Sequence, residues 1–273
     1  VLLSQAVARG ETPAGYRLVW ADEFNYRGLP DPAKWDYEVG FVRNKELQYY
    51  TRARQENARV ENGMLVIEGR KERFKNPRFD PQHRPKAGPD RAVEYADYTA
   101  ASLITLRKAS WLYGRIEVRA RLPHGKGVWP AIWMLGANFP EVNWPACGEI
   151  DIMEFVGHTP HLVHATVHFP IEGKHKSAHK ELRVEKPWED FHVYAMEWTP
   201  ERMDFYFDQT CYHRFDVSRA DTAAGNPFRR AQFLMLNLAL GGSWGGPLDD
   251  SVLPQQFVVD YVRVYQKPAP GTP

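Results

Sequence analysis

Cysteine is nearly absent from this 273-residue chain: only Cys147 and Cys211 occur. Two thiols exclude a disulfide-dense scaffold, and two free thiols are expected rather than a bridge. No apolar run is long enough to cross a bilayer. Neither sign of charge dominates, with 35 Lys and Arg against 34 Asp and Glu. Nothing therefore points to nucleic acid or a membrane surface as partner. Internal repeats and low-complexity tracts are missing, and few stretches carry the period of a long amphipathic helix.

The chain is instead rich in apolar and aromatic residues, 43% and 13%, with 9 Trp, enough for a sizeable core in a single domain. So much tryptophan suits a large β core, flat platforms for a sugar-like ligand, or both. Short alternating runs recur between turn signals, among them "NGMLVIEGRKE", "YGRIEVRARL", "FHVYAMEWT", "FLMLNLALGG" and "FVVDYVRVYQ". Many short strands at this spacing predict an all-β antiparallel sandwich or barrel of Greek-key type. Short helices would fit "DVSRADTAAG" or "DPAKWDYE". The stretch "VLLSQAVARGETP" reads as a signal-peptide remnant or an arbitrary start, so residues 1–14 are expected to be an extension and the protein to be secreted. Residues 268–273, rich in Pro and Gly, read as a tail. The Pro-rich segment within residues 75–98 reads as a long surface loop or a disordered one.

One stretch, "GEIDIMEFVG", places Glu149, Asp151 and Glu154 within six residues of a strand-like run. Strict alternation sets Glu149 and Asp151 on one face but turns Glu154 toward Ile150 and Ile152. An unpartnered buried carboxylate is expensive. A β-bulge near Ile152–Met153 removes the conflict by turning Met153 inward and Glu154 onto the acidic face. Three acids on one face suit a hard cation or the nucleophile and acid of glycosidic hydrolysis. Crowded like charges keep one of them protonated near neutral pH. A solvated acidic strand is the plain alternative.

Upstream, "GVWPAIWMLG" alternates Trp129, Ala131 and Trp133 against Ile132 and Met134, which gives a sugar platform or two core indoles. Downstream, "HLVHATVHFP" sets His164, Thr166 and His168 on one strand face. That spacing on a strand does not make the metal pair it would make on a helix, so hydrogen-bonding cleft histidines are expected.

The motif inside "WPACGEIDIME" resembles the bulged Glu-x-Asp-x-x-Glu signature of glycoside hydrolase family 16. "LVWADEFN", "NKELQYYT", "YGRIEVRARLP", "LNLALGGSWGG" and "VVDYVRVYQ", in that order, resemble its laminarinase branch of bacterial endo-1,3-β-glucanases. The resemblance covers residues 15–267 and implies a β-jelly-roll of two curved antiparallel sheets with a cleft on the concave one. It implies Glu149 as nucleophile, Glu154 as acid/base and Asp151 as the residue that tunes the nucleophile. Retention rests on the resemblance alone. Four strand steps separate the two Glu backbones by about 13 Å, whereas retaining carboxyls lie about 5–5.5 Å apart.

The same resemblance implies sugar contacts from Asn44, Trp129, Trp133, Trp144, His168 and Trp244. It implies no catalytic cofactor, and a structural calcium held by Glu23, the Gly63 carbonyl and Asp260. A β-1,3-glucan polysaccharide is the expected partner and a monomer the expected state. Mixed-linkage glucan is a further candidate substrate. The rivals are an agarase or carrageenase, a non-catalytic β-glucan recognition domain and a calcium-organised adhesion domain.

Overall fold

The computed structural model describes residues 12–82 and 92–268. The expected extension and tail lie almost entirely outside these residues, as does the middle of the Pro-rich loop. Among the described residues no helix is long and apolar enough to cross a membrane.

The chain begins with β1 (Arg17–Asp22), β2 (Asp36–Tyr37), β3 (Tyr49–Tyr50), β4 (Ala58–Glu61) and β5 (Met64–Lys75). There follow β6 (Tyr95–Ala100), β7 (Ser102–Ile104), β8 (Gly114–Arg121), β9 (Val128–Gly136), β10 (Glu149–Glu154) and β11 (Leu162–Ile171). The remainder are β12 (Lys174–Arg183), β13 (His192–Trp198), β14 (Arg202–Phe207), β15 (Thr210–Asp216), β16 (Gln232–Leu240) and β17 (Gln255–Gln266). One sheet runs β12-β11-β10-β9-β16-β7-β2. The other runs β15-β14-β13-β8-β17-β5-β6-β3, with β1 paired to β17 and β4 to β5. Among the described residues only the short β3–β6 pairing is parallel. This is the all-β jelly-roll expected from the sequence.

The two sheets meet over one apolar core. In β8 the alternation is clean: Ile116, Val118 and Ala120 are fully buried and face Ile132, Met134, Leu234, Leu236 and Leu238 across the sandwich. Strands β9 and β16 read as continuous apolar runs because both of their faces are covered. Their second face carries Ala131, Trp133, Leu135, Phe233 and Met235, and nearby Trp129 with Ala239. That second face is the floor of a cleft.

Neither expected helix forms as an α-helix. "DPAKW" makes one turn, with Trp35 N bonded to Asp31 O at 2.9 Å. The Trp35 ring is then buried, its Nε1 donating to Asp22 at 2.9 Å, and the chain continues as β2 along β7. "DVSRA" closes into a single 3₁₀ turn, Val217–Ala220, capped by the Asp216 side chain. In the Pro-rich region the ladder persists to Lys75 opposite Tyr95. The described flanks of that loop do not line the cleft.

Candidate active site

Strand β10 lies between β9 and β11. Against β9, Asp151 faces Trp133, Met153 faces Ile132 and Glu154 faces Ala131, so Ile152 is one residue too many. Against β11 the same excess separates the Asp151–Thr166 and Glu154–His164 pairs. Ile152 and Met153 are both fully buried in the inter-sheet core. Two successive inward side chains are what a bulge produces, and Glu154 is thereby returned to the face of Glu149 and Asp151. All three acids line a cleft of about 840 Å³.

Asp151 is buried and Glu149 and Glu154 are half-buried, and their titration reflects it. Burial, followed by the charge of Asp151, pushes Glu149 up to about 8. Burial also raises Asp151, which shares a hydrogen bond with Glu149. Glu154 is raised well above the usual carboxylate range by burial and then by the charges of Asp151 and Glu149. One donor opposes that rise: Trp129 Nε1 bonds Glu154 Oε1 at 3.0 Å. His168 Nε2 stands 3.2 Å from Asp151 Oδ2, an ion-pair approach rather than an aligned hydrogen bond. Its Nδ1 lies 2.8 Å from His175 Nε2.

Asn44, Trp129, Trp133, Trp144, His168 and Trp244 all line the cleft, so the structure brings together every expected sugar contact. Their exposure differs from a row of open platforms. Trp129 and Trp133 are only 8% and 7% exposed. Trp244 packs edge-on to Trp129 at 5.3 Å, and the Arg43 guanidinium sits 4.8 Å above Trp133. Trp144, at 45% exposure, is the open indole, and it tilts against His175 at 4.7 Å.

Arg43, Glu38, Glu46, His175, His179 and Asn237 also line the cleft and were not expected. The two histidines had a readable signal: "HKSAH" alternates His175, Ser177 and His179 onto one face of β12. The others depend on long-range contacts. Trp133 Nε1 donates to Asn237 Oδ1 at 2.7 Å, and Asn237 Nδ2 to the Tyr50 hydroxyl at 3.0 Å. Tyr50 in turn donates to Glu46 Oε2 at 3.1 Å. Arg43 is paired with Glu38. The residue 43–50 loop can press on this floor because Gly242 follows β16. A Cβ there would stand 3.0 Å from the Asn44 carbonyl, and its φ of +85° suits glycine. Ser243 N then bonds that same carbonyl at 2.7 Å.

The expected calcium ligands do not fit an ion in this arrangement. Glu23 accepts from Arg263 Nε and Nη2, at 2.6 and 2.9 Å. Asp260 is paired with Arg119 at 2.6 Å. Each carboxylate already has a cationic partner, and a hard dication would have to displace it. Both thiols are free, as expected.

The Glycosyl hydrolases family 16 profile matches residues 46–263. The chain belongs to that family. A β-glucanase of Rhodothermus marinus is 46% identical over 270 residues, spanning 94% of this chain and 88% of its own. The X-ray structure of the laminarinase from that organism superposes with a TM-score of 0.77, covering 93% of this chain and 98% of the other. A non-specific endo-β-1,3(4)-glucanase of family 16, SCLam, is 42% identical with a TM-score of 0.79, covering 95% and 94%. An endo-acting O-glycanase from the human gut microbiota is 37% identical with a TM-score of 0.87, covering 94% and 92%.

Proposed function

We infer that this family 16 hydrolase is an endo-1,3-β-glucanase acting on laminarin-like chains with retention of configuration. The observation that carries the chemistry is the bulged strand that sets Glu149, Asp151 and Glu154 on the cleft face. Glu154, raised well above the usual carboxylate range by burial, holds its proton in the resting cleft and gives it to the departing glycosidic oxygen. Glu149 attacks the anomeric carbon to form a glycosyl-enzyme. Glu149 and Asp151 share a proton in the resting cleft, so their two ionisations belong to the pair. As positive charge grows on the sugar, Glu149 takes the negative charge and Asp151 retains the shared proton. Glu154, now ionised, then withdraws a proton from the water that releases the sugar. This chemistry needs no cofactor. No structural calcium is included in this reading, because Glu23 and Asp260 are engaged by arginines.

A second, broader specificity is favoured by the likeness to an enzyme named for β-1,3(4) linkages. Cutting of mixed-linkage glucan is accordingly proposed beside β-1,3 cleavage. Secretion and a monomeric state accompany the proposal, since the polysaccharide is too large to enter a cell. Light scattering on the purified chain tests the monomer, and fractionation of the source culture tests export.

Reducing-sugar release from laminarin, curdlan, barley glucan, carboxymethyl cellulose, agarose, κ-carrageenan and mucin decides among the substrates. Rapid release of short oligomers from laminarin is expected. Turnover of agarose, carrageenan or mucin alone would overturn the glucanase reading. A Glu149→Gln variant is expected to bind laminarin without cutting it; binding without cleavage by the unaltered chain would favour a recognition domain.

A further inference from the structure

A second cluster of donor atoms lies beyond Glu154, on the same sheet face. His164 of β11 faces Glu181 of β12 directly in register, and His179 stands two pairs further along, opposite Thr166. Alternation sends all three side chains to the face that carries the cleft. One donor atom from each residue lies within 4.8 Å of the others. His164 Nδ1 and His179 Nε2 are 3.0 Å apart, with their rings stacked at 5.3 Å.

The His164 ring is difficult to explain as ordinary packing. It is only 5% exposed, and its Nε2 has no hydrogen-bond partner. Trp244 covers it edge-on at 5.0 Å. Its Nδ1 faces the His179 imidazole, and Glu181 and His158 also stand nearby. His164 is pushed down to about 4, and His179 is lowered as well, by burial first in each case. In one tautomer pair the 3.0 Å contact is an N–H···N hydrogen bond, and a cation between the two nitrogens would take that proton's place.

We propose that His164, His179 and Glu181 form a binding site for a borderline divalent metal, with zinc as its representative. Two imidazoles and one carboxylate suit zinc and disfavour calcium or magnesium, which prefer oxygen donors. Nitrogens bound tetrahedrally at zinc distances stand about 3.3 Å apart, so the present 3.0 Å separation requires only a small opening. Three protein donors leave the fourth position to water. Neutral imidazoles bind without first losing a proton.

The site borders the substrate path. His179 lines the cleft, and the His164 partner Trp244 packs on Trp129, the donor to Glu154. A zinc and its water at this edge occupy space that a glucan chain uses, so zinc raises the apparent KM for glucan and leaves kcat little changed. This effect on activity rests on the glucanase reading; the binding itself does not.

Isothermal titration of the full chain with zinc, without substrate, tests the site. One saturable equivalent is expected. Loss of a supporting partner commonly weakens a metal site about 10–100-fold, so loss of a direct ligand in Glu181→Gln or His179→Ala weakens zinc by about ten-fold or more. Glu181 is exposed and outside the cleft lining, so Glu181→Gln keeps its basal glucan hydrolysis and needs correspondingly more zinc for inhibition. Absence of saturable binding overturns the site. So does binding that both variants retain and His168→Ala loses, which would put the ion among Glu149, Asp151 and His168. Saturable binding lost in Glu181→Gln, with no glucan hydrolysis at all, would sustain the metal site while the glucanase reading failed.

Discussion

At the scale of single residues, the cleft acids carry both chemistry and cost. Glu149→Gln and Glu154→Gln are each expected to lower kcat on laminarin by about 10³-fold or more. Folding is the second readout. Glu149 titrates at 4.5 when unperturbed and about 8 in the folded cleft, so between those values the folded state binds more protons than the unfolded one. Stability therefore falls as pH rises through this window. Thermal midpoints should show Glu149→Gln gaining a few degrees on the parent at pH 8 and little at pH 5. Trp129→Phe removes the donor that favours ionised Glu154. Its basic limb of the kcat–pH profile should shift upward by about one unit, and an unmoved limb would dissociate Trp129 from the acid. The carboxylates were legible because their spacing and alternation are local. The covering of Trp133 by Arg43 was not, since it depends on where the 43–50 loop settles.

At the scale of the strand, the bulge explains a pattern that a regular β10 cannot. Deleting Ile152 removes the extra residue and leaves Glu149, Asp151 and Glu154 opposite their present partners on β9. The deletion is expected to lose stability by about 2–5 kcal/mol, as for a large core truncation, yet to retain far more activity than Glu154→Gln. Equal inactivity of the two well-folded variants would mean that the bulge positions Glu154 more finely than its face alone. This element was readable before any coordinates, because burying Glu154 beside Ile150 and Ile152 was the costlier alternative. A short helix does form in "DVSRADTAAG", as the 3₁₀ turn Val217–Ala220, but the one at "DPAKWDYE" was misread for a related reason. Trp35 is drawn into the core, and its pull outweighs the helical tendency of "DPAKW".

At the scale of the molecule, the sandwich followed from strand spacing and the cleft sheet from the family resemblance, whereas the arginines beside Glu23 and Asp260 are long-range partners that the sequence did not disclose. Chelation with EDTA is expected to leave the thermal midpoint unchanged. Arg263→Met, which removes two hydrogen bonds to Glu23, should cost about 1–3 kcal/mol in a denaturant titration. A midpoint that drops with EDTA would restore an ion to that seam.

The floor beneath the acids also constrains how the enzyme is made. Tyr50 bonds Asn237 across 187 positions, and Gln48 bonds Leu240 across 192. These contacts cannot exist on a ribosome until nearly the whole chain has emerged, and closing such long loops slows folding. A nascent chain that already contains Glu149 and Glu154 therefore lacks the support beneath Trp133, and hydrolysis should appear only on completion of the C-terminal strands.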